Sequence, residues 1–210
     1  MPCPYFGSMK YNPVKQHRSI RLKDYDYKQP GAYFVTIVAY DRAGLFGDIV
    51  DGEVHLSRYG ELVSTYWQAI PKHFPHAEMD VFVVMPNHVH GIISIIVGAC
   101  HAVPLRSSST INDSTEHFER FGKPVSGSIP TIVRSFKSVV TKDINELRHT
   151  IGASIWQRNY FEHVIRDEES LNRIRQYILD NPARWDFDRE NPMAVNPGSE
   201  GRVAYLDMTT

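Results

Sequence analysis

Two hydrophobic periods run through this chain and divide it into elements. Residues 32–39, Ala-Tyr-Phe-Val-Thr-Ile-Val-Ala, are mostly β-branched or aromatic and predict a strand released by Gly31. Residues 46–56 read as a hairpin turned at Asp51-Gly52. Ser57 then caps a helix over about 58–70, where Leu62, Val63, Tyr66, Trp67 and Ile70 recur at helical spacing and Pro71 closes the run. The most strand-like stretch, 77–97, follows, with Pro86-Asn87 expected to break or bulge it. Pro130 opens a helix to about 148, whose apolar face is Ile132, Val133, Phe136, Val139, Val140, Ile144 and Leu147. A short extended segment over 155–166 leads to Asp167, which caps a last helix built on Leu171, Ile174 and Ile178 and stopped by Pro182.

The connecting stretches have a different texture. Residues 98–127 are rich in serine and glycine without periodicity and predict a flexible loop or insertion. Residues 1–30 form a polar, basic arm, 31–185 the body of the domain, and 186–210 a polar tail. Strands and helices alternate without a regular βαβ rhythm. The fold class expected is therefore α+β, an antiparallel sheet with helices packed on it.

Composition narrows the function classes. At 210 residues the chain is one domain with an insertion and tails, and 42% hydrophobic residues suffice for a core. A net charge of −1 gives no global field that recommends a nucleic-acid partner. The basic residues are locally grouped, however: Lys10, Lys15, Arg18, Arg21, Lys23 and Lys28 in the arm, and Arg134, Lys137 and Lys142 on the 130–148 helix. Either group suits phosphate contacts or an ordinary solvated face. Cys3 and Cys100 make neither a disulfide framework nor a zinc-knuckle spacing. With no signal peptide and no apolar run of the roughly 18 residues a membrane helix needs, a soluble cytoplasmic protein without a membrane partner is expected. Glycine-rich phosphate loops, G-x-S-x-G elbows and H-E-x-x-H helices are absent from the sequence.

The candidate chemistry lies at His88-Val-His90. In a strand, residues i and i+2 share a face, so both imidazoles project side by side about 7 Å apart at Cα. That suits one divalent ion held between two ring nitrogens; the alternative is a solvated sheet face. On the last helix, Tyr177 and Asn181 are four residues apart and share a face. Together they define a Lewis-acid site: His88, His90 and the Asn181 amide oxygen around Mg²⁺ or Mn²⁺, with Tyr177 as an attacking oxygen for phosphoryl transfer. Tyr160 is a rival nucleophile without such an i+4 partner. Glu162 and His163 either brace the site or touch metal or DNA directly. Trp156 reads as core.

Three motifs, residues 85–91 (Met-Pro-Asn-His-Val-His-Gly), 156–166 and 176–182 (Gln-Tyr-Ile-Leu-Asp-Asn-Pro), closely resemble the REP-associated tyrosine transposases in the same order. These belong with the single-tyrosine transposases of the HUH endonuclease group, and the resemblance spans about 31–185. It implies a ferredoxin-like sheet with the histidine pair on a central strand. It further implies cleavage of single-stranded or hairpin repeat DNA through a 5′-phosphotyrosine. By position, His88 and His90 become metal ligands, Tyr177 the nucleophile and Asn181 the third ligand, with Mg²⁺ or Mn²⁺ as cofactor. Proteins of this type act as monomers or as homodimers. Two other functions fit the same residues: a repeat-DNA-binding protein that has lost catalysis, and a metal-dependent phosphodiesterase that uses water.

Overall fold

The computed structural model describes residues 25–96 and 125–194. Six strands and four helices appear in the order β1 (Gly31–Val38), β2 (Gly47–Val50), β3 (Glu53–Leu56), α1 (Arg58–Gln68), α2 (Ile70–His73), β4 (Ala77–Met85), β5 (His88–Ile95), α3 (Ile129–Arg148), β6 (Phe161–Ile165) and α4 (Glu168–Asp180). A 3-10 turn, Tyr40–Arg42, follows β1, and another, Pro182–Phe187, follows α4.

The main sheet has the order β4-β5-β1-β6, antiparallel throughout. Setting aside the small β2–β3 hairpin, the chain runs strand, helix, two strands, helix, strand, with the first and third sheet strands in the centre. That is ferredoxin-like topology, as the resemblance implied.

Local chemistry explains the elements. The Ser57 hydroxyl accepts from the Tyr59 and Gly60 amides and caps α1. Asp167 accepts from the Ser170 amide at 2.7 Å and caps α4. Pro71 does not end the helical stretch. It sits in the first turn of α2, where its missing N–H is harmless. The stretch 77–97, read as one strand, is two: Pro86-Asn87 turns the chain back, and Met85 pairs with His88. Between 155 and 166 only β6 is a strand, joined by an isolated bridge from Trp156 to Ala39.

Residues facing each other across an antiparallel pair project to the same side. The pairs Phe34–Ile92, Thr36–His90 and Val38–His88 therefore place both histidines on one face of the sheet. The opposite face carries Tyr33, Val35, Ile37, Val89 and Ile93 and is covered by α1 and α3 through Val63, Trp67, Ile132, Phe136, Val140 and Ile144. On the histidine face, Phe34, Ile92 and Ile165 pack against Ile174 and Ile178 of α4. The layers are thus α1/α3, sheet, α4, and α4 lies over the face from which the imidazoles project. No helix of the described residues is long and apolar enough to cross a membrane.

Arg18, Arg21 and Lys23, expected to contact phosphates, and most of the expected 98–127 loop lie outside the described residues. Residues past 186 are not all tail: Asp188, Glu190 and Asn191 are buried.

Candidate active site

β5 begins at His88, so the histidine pair stands at the mouth of the β4–β5 turn with both rings fully enclosed. Their ring centroids are 4.4 Å apart. The Asn87 amide nitrogen donates to Glu190 O at 2.6 Å and Arg42 O at 3.2 Å, which fixes its orientation. Its oxygen, 2.8 Å from His88 Nδ1, must then accept, so His88 carries its proton on Nδ1 and presents the Nε2 lone pair. His90 Nδ1 is held at 2.8 Å by Thr36 Oγ1. Both rings are anchored through Nδ1 and leave Nε2 toward the site.

α4 brings the next two groups. Tyr177 Oη lies 3.4 Å from His90 Nε2, and its ring packs edge-on to Phe34 at 6.1 Å between centroids. One turn later, the Asn181 amide nitrogen donates to Asp188 Oδ2 at 3.0 Å, which leaves Asn181 Oδ1 beside His88. Asp188 is the group the sequence did not single out. The chain returns through the turn after α4, and the Glu190 amide donates to Asp188 Oδ1 at 2.6 Å. Glu190 in turn accepts from Arg42 Nε at 2.9 Å and Arg189 Nε at 3.3 Å.

His88, His90 and Asp188 offer ligand atoms that all lie within 4.8 Å of one another. His88 Nε2 and Asn181 Oδ1 are buried and have no hydrogen-bond partner among the described residues. Two orphaned acceptors beside a carboxylate are costly unless something positive lies between them. Two imidazole nitrogens, a carboxylate and an amide oxygen fit a divalent cation.

The electrostatics agree. Burial pushes His88 below its ordinary range against the pull of Asp188 and Glu190. Burial, then the charges of His88 and Arg189, push His90 well below it. Both imidazoles are thus neutral, the form that binds metal. Burial raises the Tyr177 phenol, and Asp188 adds to the rise while Arg189 opposes it. For Glu190, burial alone would raise the carboxyl, but Arg42 and Arg189 hold it below the ordinary range.

Other candidates are not brought together here. Glu162 pairs with Val35 and so lies on the α1/α3 side of the sheet, away from the histidines. His163, paired with Phe34, is on the histidine face but on the edge strand. Tyr160 packs against the α1/α3 core. Trp156 is core, 4.9 Å from the Phe46 ring centroid. Arg134 and Lys142 are exposed on α3, in the layer opposite the histidines. Lys137 is committed to the backbone: its Nζ donates to Gln157 O at 2.6 Å and Arg158 O at 3.2 Å, and burial lowers it to about 8.

The fold that turns the histidine pair toward the helix-borne tyrosine has a counterpart among solved structures. The solved structure of a REP-associated tyrosine transposase bound to a REP hairpin superposes with a TM-score of 0.51 at 17% identity, covering 79% of this chain and 74% of that one. A Haemophilus influenzae protein described as uncharacterized is 41% identical over 184 residues, 86% of this chain and 96% of its own length. A second from that organism, named "Putative REP-associated tyrosine transposase", is 27% identical over 164 residues, 77% of this chain and 76% of its own. The chain belongs to one family with the 41%-identical Haemophilus influenzae protein, and it shares its fold with the solved REP-associated tyrosine transposase. No protein-family model matches it.

Proposed function

We propose that this protein is a metal-dependent single-strand DNA endonuclease and strand-transferase that acts on hairpin repeat DNA with Tyr177 as nucleophile. The observation that carries the reading is the position of Tyr177 Oη, 3.4 Å from His90 Nε2, on the same helix as Asn181 and in the same enclosed site as His88 and Asp188. DNA as partner is supported by the names of the relatives and by the REP hairpin in the matched structure.

His88, His90, Asp188 and Asn181 are the residues that would hold Mg²⁺ or Mn²⁺. When bound, such an ion supplies Lewis acidity, drawing charge from a phosphate oxygen. Thr36 and Asn87 keep the imidazoles oriented, and burial keeps them neutral. α4 holds the phenol against the sheet, beside His90 and Phe34. Attack by Tyr177 Oη on a backbone phosphorus forms the P–O bond to tyrosine and breaks the bond to the 3′ oxygen. The phenol proton is released to solvent, and the 3′ oxygen takes up one proton from solvent and leaves as a hydroxyl, so the step is proton-neutral. The resulting 5′-phosphotyrosine retains the energy of the phosphodiester for rejoining.

The test uses end-labelled single-stranded DNA carrying a hairpin repeat, incubated with Mn²⁺ and either wild-type protein or Tyr177→Phe. The expected result is a denaturant-resistant protein–DNA adduct in wild type alone. Cleavage that survives in the variant would shift the chemistry to Tyr160 or water. Binding without cleavage by either protein would leave a repeat-binding protein.

A further inference from the structure

Trp185 is one of three tryptophans in the chain. Trp67 and Trp156 are buried in the α1/α3 core, at 0% and 6% exposure. Trp185 is half-buried and belongs to neither hydrophobic cluster. It rides on the 3-10 turn Pro182–Phe187, between Asn181 and Asp188, and its ring centroid is 6.0 Å from that of His88 with planes tilted by 35°. The turn is tied down: Trp185 O accepts from the Asp188 amide at 3.0 Å and from Asn191 Nδ2 at 2.9 Å. A large, half-buried indole thus joins neither core cluster and stands against a candidate ligand.

Its neighbour Arg184 is exposed, and its nearest carboxylate, Asp180, stands 3.8 Å away. A loose pair of this kind exchanges readily for a phosphate. Aromatic faces accept any base, and basic side chains beside them follow the backbone; together they make the usual single-strand binding platform.

We propose that Trp185 is a nucleobase-stacking platform, taking the base of the nucleotide next to the phosphate that Tyr177 attacks, with Arg184 on the flanking phosphate. The inference rests on the function proposed above. It places the selection of unpaired DNA at the site itself, because a base held in a duplex cannot present its face to an indole.

The test uses the full chain in chelator, so that binding is read without cleavage. Binding of a fluorescein-labelled hairpin with an unpaired arm is followed by anisotropy, and tryptophan emission is followed with the unlabelled hairpin. Each unpaired position is then made abasic in turn. In wild type, binding should quench tryptophan emission, and one abasic position should weaken affinity about tenfold. Trp185→Phe should retain the dependence on that position. Trp185→Leu, which keeps apolar bulk, should weaken binding by a similar factor and make the abasic substitution silent, since the two changes remove one interaction. A purely packing role would leave the abasic penalty unchanged in Trp185→Leu, and that result overturns the proposal. Wild-type protein that binds DNA without quenching or a sensitive position overturns it too, while leaving the function intact. Absence of any anisotropy change would sink both. If Trp185→Leu fails to fold, Trp185→Phe decides the matter: Trp67 and Trp156 are buried, so the quenching should disappear in that variant, and quenching that persists overturns the proposal.

Discussion

Arg175 grips Asp80: Nη2 lies 2.6 Å and Nε 3.0 Å from the same carboxylate oxygen, Asp80 Oδ2. Arg175 is two residues from Tyr177 on α4, and Asp80 sits where the β4–β5 register shifts, between Met79 and Phe82. The irregularity gives the carboxylate a fixed direction, since Asp80 Oδ1 also accepts from the Val81 amide at 2.7 Å. The hydrophobic stripe of Ile174 and Ile178 presses α4 onto the sheet, while the ion pair sets its rotation and axial position. Burial would raise the Asp80 carboxyl, but hydrogen bonding from Arg175 and Val81 leaves it below the ordinary value. The pair is intact at neutral pH.

The first prediction tests that role. Asp80→Ala should slow formation of the tyrosine adduct at least several-fold while Mn²⁺ affinity, measured by calorimetry, stays at the wild-type value. Asp80→Glu should recover part of the rate. Equal rates in wild type and Asp80→Ala would show that the hydrophobic stripe alone positions the tyrosine.

Gly91 has no room for a side chain. A Cβ there would stand 2.3 Å from Trp67 Cζ2 and 3.0 Å from the Phe82 Cβ. Gly91→Ala should therefore destabilise the protein by about 1–3 kcal/mol as the indole is displaced. Denaturant melts check this, and Trp67→Phe in the same chain should recover part of the loss. An unchanged midpoint would mean that Trp67 moves freely, contrary to its enclosure in the core.

Asp188 should matter to the metal as a ligand does. Asp188→Asn is expected to weaken Mn²⁺ binding by about 10–100-fold, the range for a change around a metal site, and His88→Ala to reduce it further. Addition of Mn²⁺ should raise the melting temperature of wild type more than that of either variant. Wild-type affinity in Asp188→Asn would remove the carboxylate from the ligand set.

The neutral histidines make the metal-free protein acid-sensitive. His88, His90 and His163 all lie below the ordinary 6.5, with burial the first cause in each. In the window below 6.5 the unfolded chain binds protons that the folded chain refuses, so stability falls as pH drops, and the histidine contribution is level above it. Depressed carboxylates such as Asp80 and Glu190 contribute fully above their ordinary values of 3.8 and 4.5, so they do not act in this window. Urea midpoints in chelator should decline from about pH 6.5 to about 5, whereas the buried Lys137, lowered to about 8, adds a separate rise with pH only above about 7. A flat profile would mean that the rings accept protons in the folded state.

Much of this arrangement is legible in the sequence because periodicity reports burial on one face. The His88–His90 spacing and the Tyr177–Asn181 spacing each specify a shared face, and the structure sets those faces against each other. Other features depend on pairing, which periodicity does not encode. Both sides of Pro86-Asn87 are apolar and strand-like, so nothing local distinguishes a bulged strand from two strands folded back. Glu162 and His163 are adjacent in sequence, and only the Val35–Glu162 register decides which one faces the histidines. Asp188 was hidden in a polar stretch read as tail. Alternation points the wrong way there, since Phe187 is exposed while Asp188 and Glu190 are buried, and only the turn after α4 brings the carboxylate back to the histidines.

The contact between Arg42 and Glu190 joins positions 148 residues apart. Asp41 and Arg42 both hold left-handed backbone, with φ of 55° and 52°, a conformation that needs support from elsewhere in the fold. That support comes from Asn87 and from Glu190, which lies 103 residues beyond Asn87. A chain emerging from the ribosome therefore presents its sheet strands and tyrosine helix ahead of the segment that carries Asp188. A chain cut before residue 188 would hold both histidines and Tyr177 yet lack the carboxylate that closes the cluster beside them.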